Sequence, residues 1–409
     1  MPRVLLLVPS ATYRAGDFLD AARALGAEVV VGGEQLSALA DTGGARALHV
    51  PLSDPAAAAA AIVDHDARAP IDAVVAVDDQ GTVAAAMAAA SLGLRANPPD
   101  AVAAACDKLE MRRRLERAEV PQPAFAPVPD EAGPASLAAL AAQVGFPCVV
   151  KPRTLSGSRG VLRADDEQGA VAAVARVRAI AAAAGVPAGE GLLLERFSPG
   201  PEVAVEGMLT DGVLEVLAVF DKPDPLDGPT FEETIYVTPS RLDPAALDAV
   251  GAATQSAVRA LGLVDGPVHA ELRVLHGRAT VIEVAARTIG GLCARTLRFA
   301  TGRSLEELVL AHALGVRVPA ALDEGAAGVL MLPAPAAGTL LAVEGGPQAS
   351  TVPGVTGVEI TAAPGRHVAP APDADRYVGF VFARATHPEA VVRALRRAWS
   401  VLDVRVERD

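Results

Sequence analysis

Apolar residues fall in short runs separated by helical stretches: VLLLV at 4–8, AEVVVG near 30, ALHVPL near 50 and AVVAV at 73–77. Runs of this length, spaced by Ala-rich segments, predict parallel strands joined by helical crossovers. Ser53, Asp54 and Pro55 precede an alanine run at 56–61. A side-chain oxygen to cap the first turn, followed by a proline whose φ already suits it, starts a helix there. Asp78 and Asp79 follow a strand end, which is where open α/β sheets place ligands, or equally a solvated loop.

From Asp107 the charged helix DKLEMRRRLERAEV begins, and Pro121 and Pro123 must end it. A strand FPCVVKP, a Gly/Ser-rich loop at 154–160, a helix near 168–184 and a strand LLLERF follow. Next come strand-like pieces at 202–208 and 214–220, a Pro/Asp/Gly loop at 223–230, a helix near 243–262 and a hairpin at 268–285. Beyond 322 the chain is rich in Pro, Gly and short Val runs, ending on a helix at 388–399 and a strand DVRVE. The expected architecture is a multidomain α/β and α+β chain, with a parallel βαβ region at 1–100, a central domain at 101–322 and a small mixed domain at 323–409.

Composition adds limits. The 409 residues are 51% apolar but only 3% aromatic, so the hydropathy comes from small helix formers. No apolar run reaches the roughly 20 residues of a membrane span. VLLLV is short for the apolar core of a leader peptide, and the opening reads as a buried strand. Cys106, Cys148 and Cys293 are scattered, with no CxxC, which fits a reduced cytoplasm. A net charge of −13 repels phosphate backbones and argues against nucleic acid.

The usual nucleotide, hydrolase and zinc motifs are missing, so the chemistry must lie in other groupings. In VVKPRTLSGSRGV, Lys151 ends a strand, and Ser156, Gly157, Ser158, Arg159 and Gly160 can present N–H groups and hydroxyls to a polyphosphate. An ordinary surface turn would read the same way. In LLLERFSPGPEVAVEG, the backbone of Arg196 and Phe197 can meet an adenine edge and Glu202 can reach ribose hydroxyls, or the charges are simply solvated. In VHAELRVLHGRATVIEVAARTIGG, a three-residue loop of His276, Gly277 and Arg278 would pair Leu275 with Ala279. Glu271 then falls opposite Glu283, and His269 opposite Ala285. Facing carboxylates repel unless a cation lies between them, and oxygen ligands suit Mg²⁺ or Mn²⁺; a slipped register would separate them.

These four motifs, in this order across residues 100–320, resemble the ATP-grasp superfamily, and among its members the amino-acid ligases that make dipeptides. The resemblance implies a pre-ATP-grasp domain, a two-lobed ATP-grasp domain and a small C-terminal domain. It implies an ADP-forming carboxylate–amine ligase that makes an acyl phosphate. By position, Lys108 and Lys151 would hold ATP phosphates, residues 156–160 would cover them, and Glu195 with Phe197 would form the adenine hinge. Glu202 would meet the ribose, Glu271 and Glu283 would bind Mg²⁺, and Arg287 would face the transferred phosphate or a substrate carboxylate. Where the family reads Glu-x-Asn-x-Arg, this chain has Ala285 in place of the Asn. Water on Glu283, or help from His269, would complete the metal shell; otherwise magnesium binding is impaired. The segment 221–242, with Phe231, Tyr236, Glu232 and Glu233, is the expected place for the amine, unless it is a solvated loop. A bicarbonate-using carboxylase and a catalytically weak ATP-binding protein are the competing readings. Small-molecule carboxylate and amine partners, no membrane, and a homodimer complete the expectations.

Overall fold

The computed structural model describes residues 1–10, 12–35, 46–299 and 302–409. Strands β1 (Arg3–Leu7), β2 (Glu28–Gly33), β3 (Arg46–His49) and β4 (Ala73–Ala76) form a parallel sheet ordered β3-β2-β1-β4. Side chains alternate across a strand. Val4 and Leu6 therefore pack with Phe18 and with Leu308 on the helix Leu305–Ala313, while Leu5 and Leu7 pack with Ile62, Ala84 and Ala88. Burial on both faces explains why these strands read as unbroken apolar runs. The Asp54 carboxylate accepts from the Ala56 and Ala57 N–H groups at 3.1 Å and caps the helix Pro55–Asp66.

A second sheet, antiparallel, combines β5 (Phe125–Val128), β6 (Cys148–Pro152), β7 (Leu162–Ala164) and β8 (Leu192–Arg196) in the order β5-β8-β6-β7. Cys148, Val150, Leu192 and Leu194 face the helices Pro134–Val144 and Glu167–Ala183. The same alternation turns Val149, Lys151 and Glu195 to the opposite face, where the functional cavity lies.

The largest sheet contains β9 (Glu202–Thr210), β10 (Val213–Asp221), β11 (Ile235–Thr238), β12 (Gly266–Leu275) and β13 (Arg278–Ala285). Further along the chain lie β14 (Ala326–Leu332), β15 (Gly338–Glu344), β16 (Val355–Ile360), β17 (His367–Val368), β18 (Gly379–Ala385) and β19 (Asp403–Arg408). The eight-stranded order is β13-β12-β9-β10-β11-β14-β18-β16, so the central sheet runs across residue 322 through the β11–β14 pair. Of the described strands beyond residue 322, β17, β15 and β19 form a separate three-stranded sheet. The helix Pro244–Leu261 covers one half of the large sheet and the helix Pro388–Trp399 the other.

Two local expectations are corrected. The helix from Asp107 spans Lys108–Arg117 and ends before either proline, with Glu119 in the left-handed region at φ 55. The β12–β13 turn has two residues, not three: Leu275 pairs with Arg278, and His276 (φ 50) and Gly277 (φ 72) are both left-handed, as a type I′ turn requires. The register then shifts by one at Ile282. Glu271 still pairs with Glu283, and His269 with Ala285. Among the described residues no helix is long and apolar enough to cross a membrane.

Candidate active site

Asp107 caps the helix Lys108–Arg117 by accepting from the Leu109 and Glu110 N–H groups (2.9 and 3.4 Å), and it also ion-pairs with Arg153. The fixed first turn aims the buried Lys108 ammonium at the Leu155 carbonyl (2.7 Å) and at Glu283 (3.1 Å). One turn on, where a helix returns to the same face, Arg112 donates to Glu195 (2.7 Å) and to the Ile282 carbonyl (2.5 Å). Lys151 approaches the other oxygen of Glu195 at 2.8 Å. Burial would raise the Glu195 pKa, but Arg112 and Lys151 outweigh it and hold the carboxyl at about 2. Burial lowers the Lys151 pKa, with Glu195 opposing.

Lys108 and Lys151 thus face one cavity of about 390 Å³. Ser156, Gly157 and Ser158 line it beside them, while Gly160 lies just outside. Gly157 (φ 64), Ser158 (φ 55) and Gly160 (φ 72) are left-handed. A Cβ at Gly160 would meet Pro152 Cγ at 3.0 Å, so glycine is required both for conformation and for close approach. The Gly160 N–H donates to the Pro372 carbonyl (2.8 Å), which ties this loop to the C-terminal region.

The turn after β8 differs in detail from its sequence reading. The Arg196 and Phe197 N–H groups, expected to meet adenine, donate instead to the carbonyls of Ala124 (2.8 Å) and Pro147 (2.9 Å). The next N–H along, that of the cavity-lining Ser198, has no protein partner among the described residues. The Phe197 ring lies against Phe231 and under two guanidinium groups, Arg163 at 4.7 Å and Arg273 at 5.3 Å. Both oxygens of Glu202 are engaged, by Lys222 (2.6 Å) and by Arg273 (2.7 Å).

Lys222 organises the acidic wall. Its buried ammonium contacts Glu202, Glu233 and Glu271, whose carboxylates lie within 4.8 Å of one another. Burial would lower the Lys222 pKa, but the three carboxylates raise it well above the ordinary lysine value. Glu233 is pushed up by burial and by Glu271, against the pull of Lys222. Glu271 goes the other way, because Lys222 and His269 overcome its burial. His269 lies 2.5 Å from Glu206 and 3.4 Å from Glu271; burial opposes its charge, yet the carboxylates lift its pKa to about 9. Arg287 grips Asp79 through Nε (2.6 Å) and Nη2 (2.8 Å). Burial would raise the Asp79 pKa, and Arg287 brings it down.

In the segment 221–242, Tyr236 sits on β11 and Glu232 accepts the Ala371 N–H (3.0 Å). Phe231, Glu232, Glu233 and Tyr236 all line the cavity. Sequence reasoning missed Lys222, Arg112 and Arg376. Lys222 stands at the end of an apolar strand, as Lys151 does, and Arg112 is four residues from Lys108 on one helix face, so both carried a signal. Arg376 carried none.

Residues 144–296 match the ATP-grasp domain, residues 19–95 the ATP-grasp N-terminal domain, and residues 330–407 the L-amino acid ligase C-terminal domain 2. With the sheets described above, these matches show that the chain belongs to the ATP-grasp superfamily. Among solved structures it is similar to an amino-acid ligase: the crystal structure of L-amino acid ligase from Bacillus licheniformis superposes with a TM-score of 0.86 at 26% identity, covering 100% of this chain and 99% of that one. Alanine–anticapsin ligase of Bacillus subtilis is 27% identical over 257 residues, 59% of this chain and 53% of that protein. D-alanine–D-alanine ligase of Synechococcus sp. is 30% identical over 204 residues, 48% of this chain and 58% of that protein. The chain thus spans little more than half the length of these curated relatives.

Proposed function

We propose that the protein is an ADP-forming carboxylate–amine ligase that activates an amino acid with ATP and joins it to an amine. The observation that carries this reading is the convergence of Lys108, Lys151, Glu271, Glu283 and Arg287 on one cavity, in a chain whose whole length follows the fold of an amino-acid ligase. In the proposed reaction a substrate carboxylate oxygen bonds to the terminal phosphorus of ATP as ADP leaves. The amine nitrogen then bonds to the acyl carbon, phosphate departs with the C–O electron pair, and the nitrogen loses a proton.

Each residue's part follows from its surroundings. Lys108 and Lys151 supply fixed positive charge for phosphates, and buried charge acts strongly because little water screens it. The loop at 154–160 shields an acyl phosphate from hydrolysis. The Ser198 N–H takes over the adenine contact expected of its neighbours. Phe197 forms a flat wall there, with the Arg163 and Arg273 guanidinium groups over its ring.

The residues suit magnesium in two respects: the facing groups are carboxylates, and the hydrogen bonds of Glu271 both use Oε1. A bound magnesium ion supplies positive charge against that of the phosphates. Glu283 and Glu271 would hold it, and Lys222 keeps Glu271 ionised. Glu233, with its carboxyl pushed up, is suited to take the proton of an incoming ammonium.

The test is ADP release with pairs of amino acids. Release that requires both a carboxylate and an amine, with an amide product, supports the ligase. Release that follows bicarbonate instead, or ATP binding without release for any pair, sinks it.

A further inference from the structure

A ligase that joins two amino acids must hold two carboxylates, one that reacts and one that does not. The second belongs to the amine-bearing substrate and stays ionised throughout. Placed beside the transferred phosphate, it would add like charge where charge already accumulates, so it requires a cation away from that end. The cations at the phosphate end are already committed: Lys108 to Glu283, Lys151 to Glu195, and Arg287 to Asp79.

Arg376 is different. It lines the same cavity and its side chain is only 14% exposed. Its recorded partner is its own chain neighbour, Asp375, at 3.3 Å from Nε and 3.5 Å from Nη2, and Nη1 has no partner among the described residues. Of the other cavity arginines, Arg273 is held by Glu202 and Arg196 is exposed; Arg159, whose buried Nε also has no partner among the described residues, lies in the glycine-rich loop at the phosphate end.

The segment that carries Arg376 is pinned at several points. The Ala371 N–H donates to Glu232 (3.0 Å), the Pro372 carbonyl accepts from the Gly160 N–H (2.8 Å), Asp373 ion-pairs with Arg176, and the Tyr377 carbonyl accepts from the Tyr13 hydroxyl (3.4 Å). Arg376 is therefore held in place by contacts that do not consume its guanidinium. The next residue, Tyr377, lines the cavity together with Glu232 and Glu233; after burial, Glu233 does most to raise its phenol, ahead of Cys293 and Glu232. One short segment thus brings a cation with open donors next to a wall of carboxylates, which is the charge pattern of a free amino acid turned inside out.

We propose that Arg376 binds the α-carboxylate of the amine-bearing substrate, so that the acceptor is an amino acid rather than a simple amine. This rests on the ligase reading. Binding by a planar fork is geometrically demanding, so a point charge replaces it only in part. Because Pro372 holds Gly160, the acceptor anchor is also joined to the loop over the phosphates.

The experiment compares two nucleophiles in the full-length protein: each member of an amino-acid panel, which carries a carboxylate, and hydroxylamine, which does not. Peptide and hydroxamate are measured for wild type, Arg376→Gln and Arg376→Lys. In Arg376→Gln the KM for the amino-acid acceptor should rise about tenfold or more, while hydroxamate formation changes far less. Arg376→Lys should recover part of the loss. A fall of both products together, or of neither, overturns the assignment while leaving the ligase standing. Wild type that makes neither product with any acid overturns the ligase reading, and this inference with it.

Discussion

Arg287 and Asp79 face each other across the junction between the N-terminal sheet and the end of β13, joined by two hydrogen bonds of 2.6 and 2.8 Å. The Arg287 side chain is 11% exposed. An arginine expected to meet substrate is therefore aimed by a carboxylate more than two hundred residues away in sequence. Asp79→Ala leaves the Arg287 guanidinium without its carboxylate; the Asp79 side chain is 35% exposed, so water screens part of the pair and the cost should be about 1–3 kcal/mol. Chemical denaturation should show a loss of that order, and turnover should fall with it. A loss below about 1 kcal/mol would show that the pair does not hold the junction.

The Arg112–Glu195–Lys151 group predicts an acid-side dependence. Glu195 has its folded pKa at about 2, below the ordinary 4.5. Its contribution to stability is therefore fully present above the unfolded value and is lost as pH falls through 4.5 toward 2. At pH near 7, Glu195→Gln should be less stable by roughly 3 kcal/mol, and the gap should narrow on acidification. A gap independent of pH in unfolding curves would contradict the assignment.

Lys222 offsets part of the charge of three carboxylates that lie within 4.8 Å of one another. Lys222→Met should lower the melting temperature, and added Mg²⁺ or Ca²⁺ should restore part of it, because a divalent cation can take over the ammonium's place. An unchanged melting temperature, or one indifferent to divalent cations, would show that the cluster is not held by charge balance.

Glu283 and Ala285 test the metal assignment from opposite sides. Glu283→Ala should abolish turnover while ATP still binds, and retained turnover would remove Glu283 from the metal site. Ala285→Asn should hold or raise magnesium affinity measured by calorimetry. A fall would identify Ala285 as an adaptation of this chain.

Much of the framework was legible because alternation in a strand is a local property. The apolar runs marked the strands that carry Lys151 and Glu195, and in the structure alternation along those strands turns both side chains to the cavity. The β12–β13 pairing was legible for a less direct reason. The turn is one residue shorter than expected and the shift at Ile282 makes up the difference. That shift coincides with long-range bonds: the Val281 N–H reaches the Pro121 carbonyl, and the Ile282 carbonyl accepts from Arg112. No local pattern encodes such partners. The same applies to Ser198, whose proposed role rests on Ala124 and Pro147 taking the N–H groups before it. It applies equally to Arg376, which the tertiary fold brings to the cavity from a Pro-rich segment with no distinguishing spacing.

The central claim is ATP-dependent joining of a carboxylate to an amine. Its most direct measurement is simultaneous detection of ADP and amide product by mass spectrometry, with ATP, Mg²⁺ and each pair from an amino-acid panel. The account predicts at least one pair that yields ADP and amide in equal amounts, neither forming when the acid or the amine is omitted. ADP without amide, or ATP binding with no ADP for any pair, would contradict it.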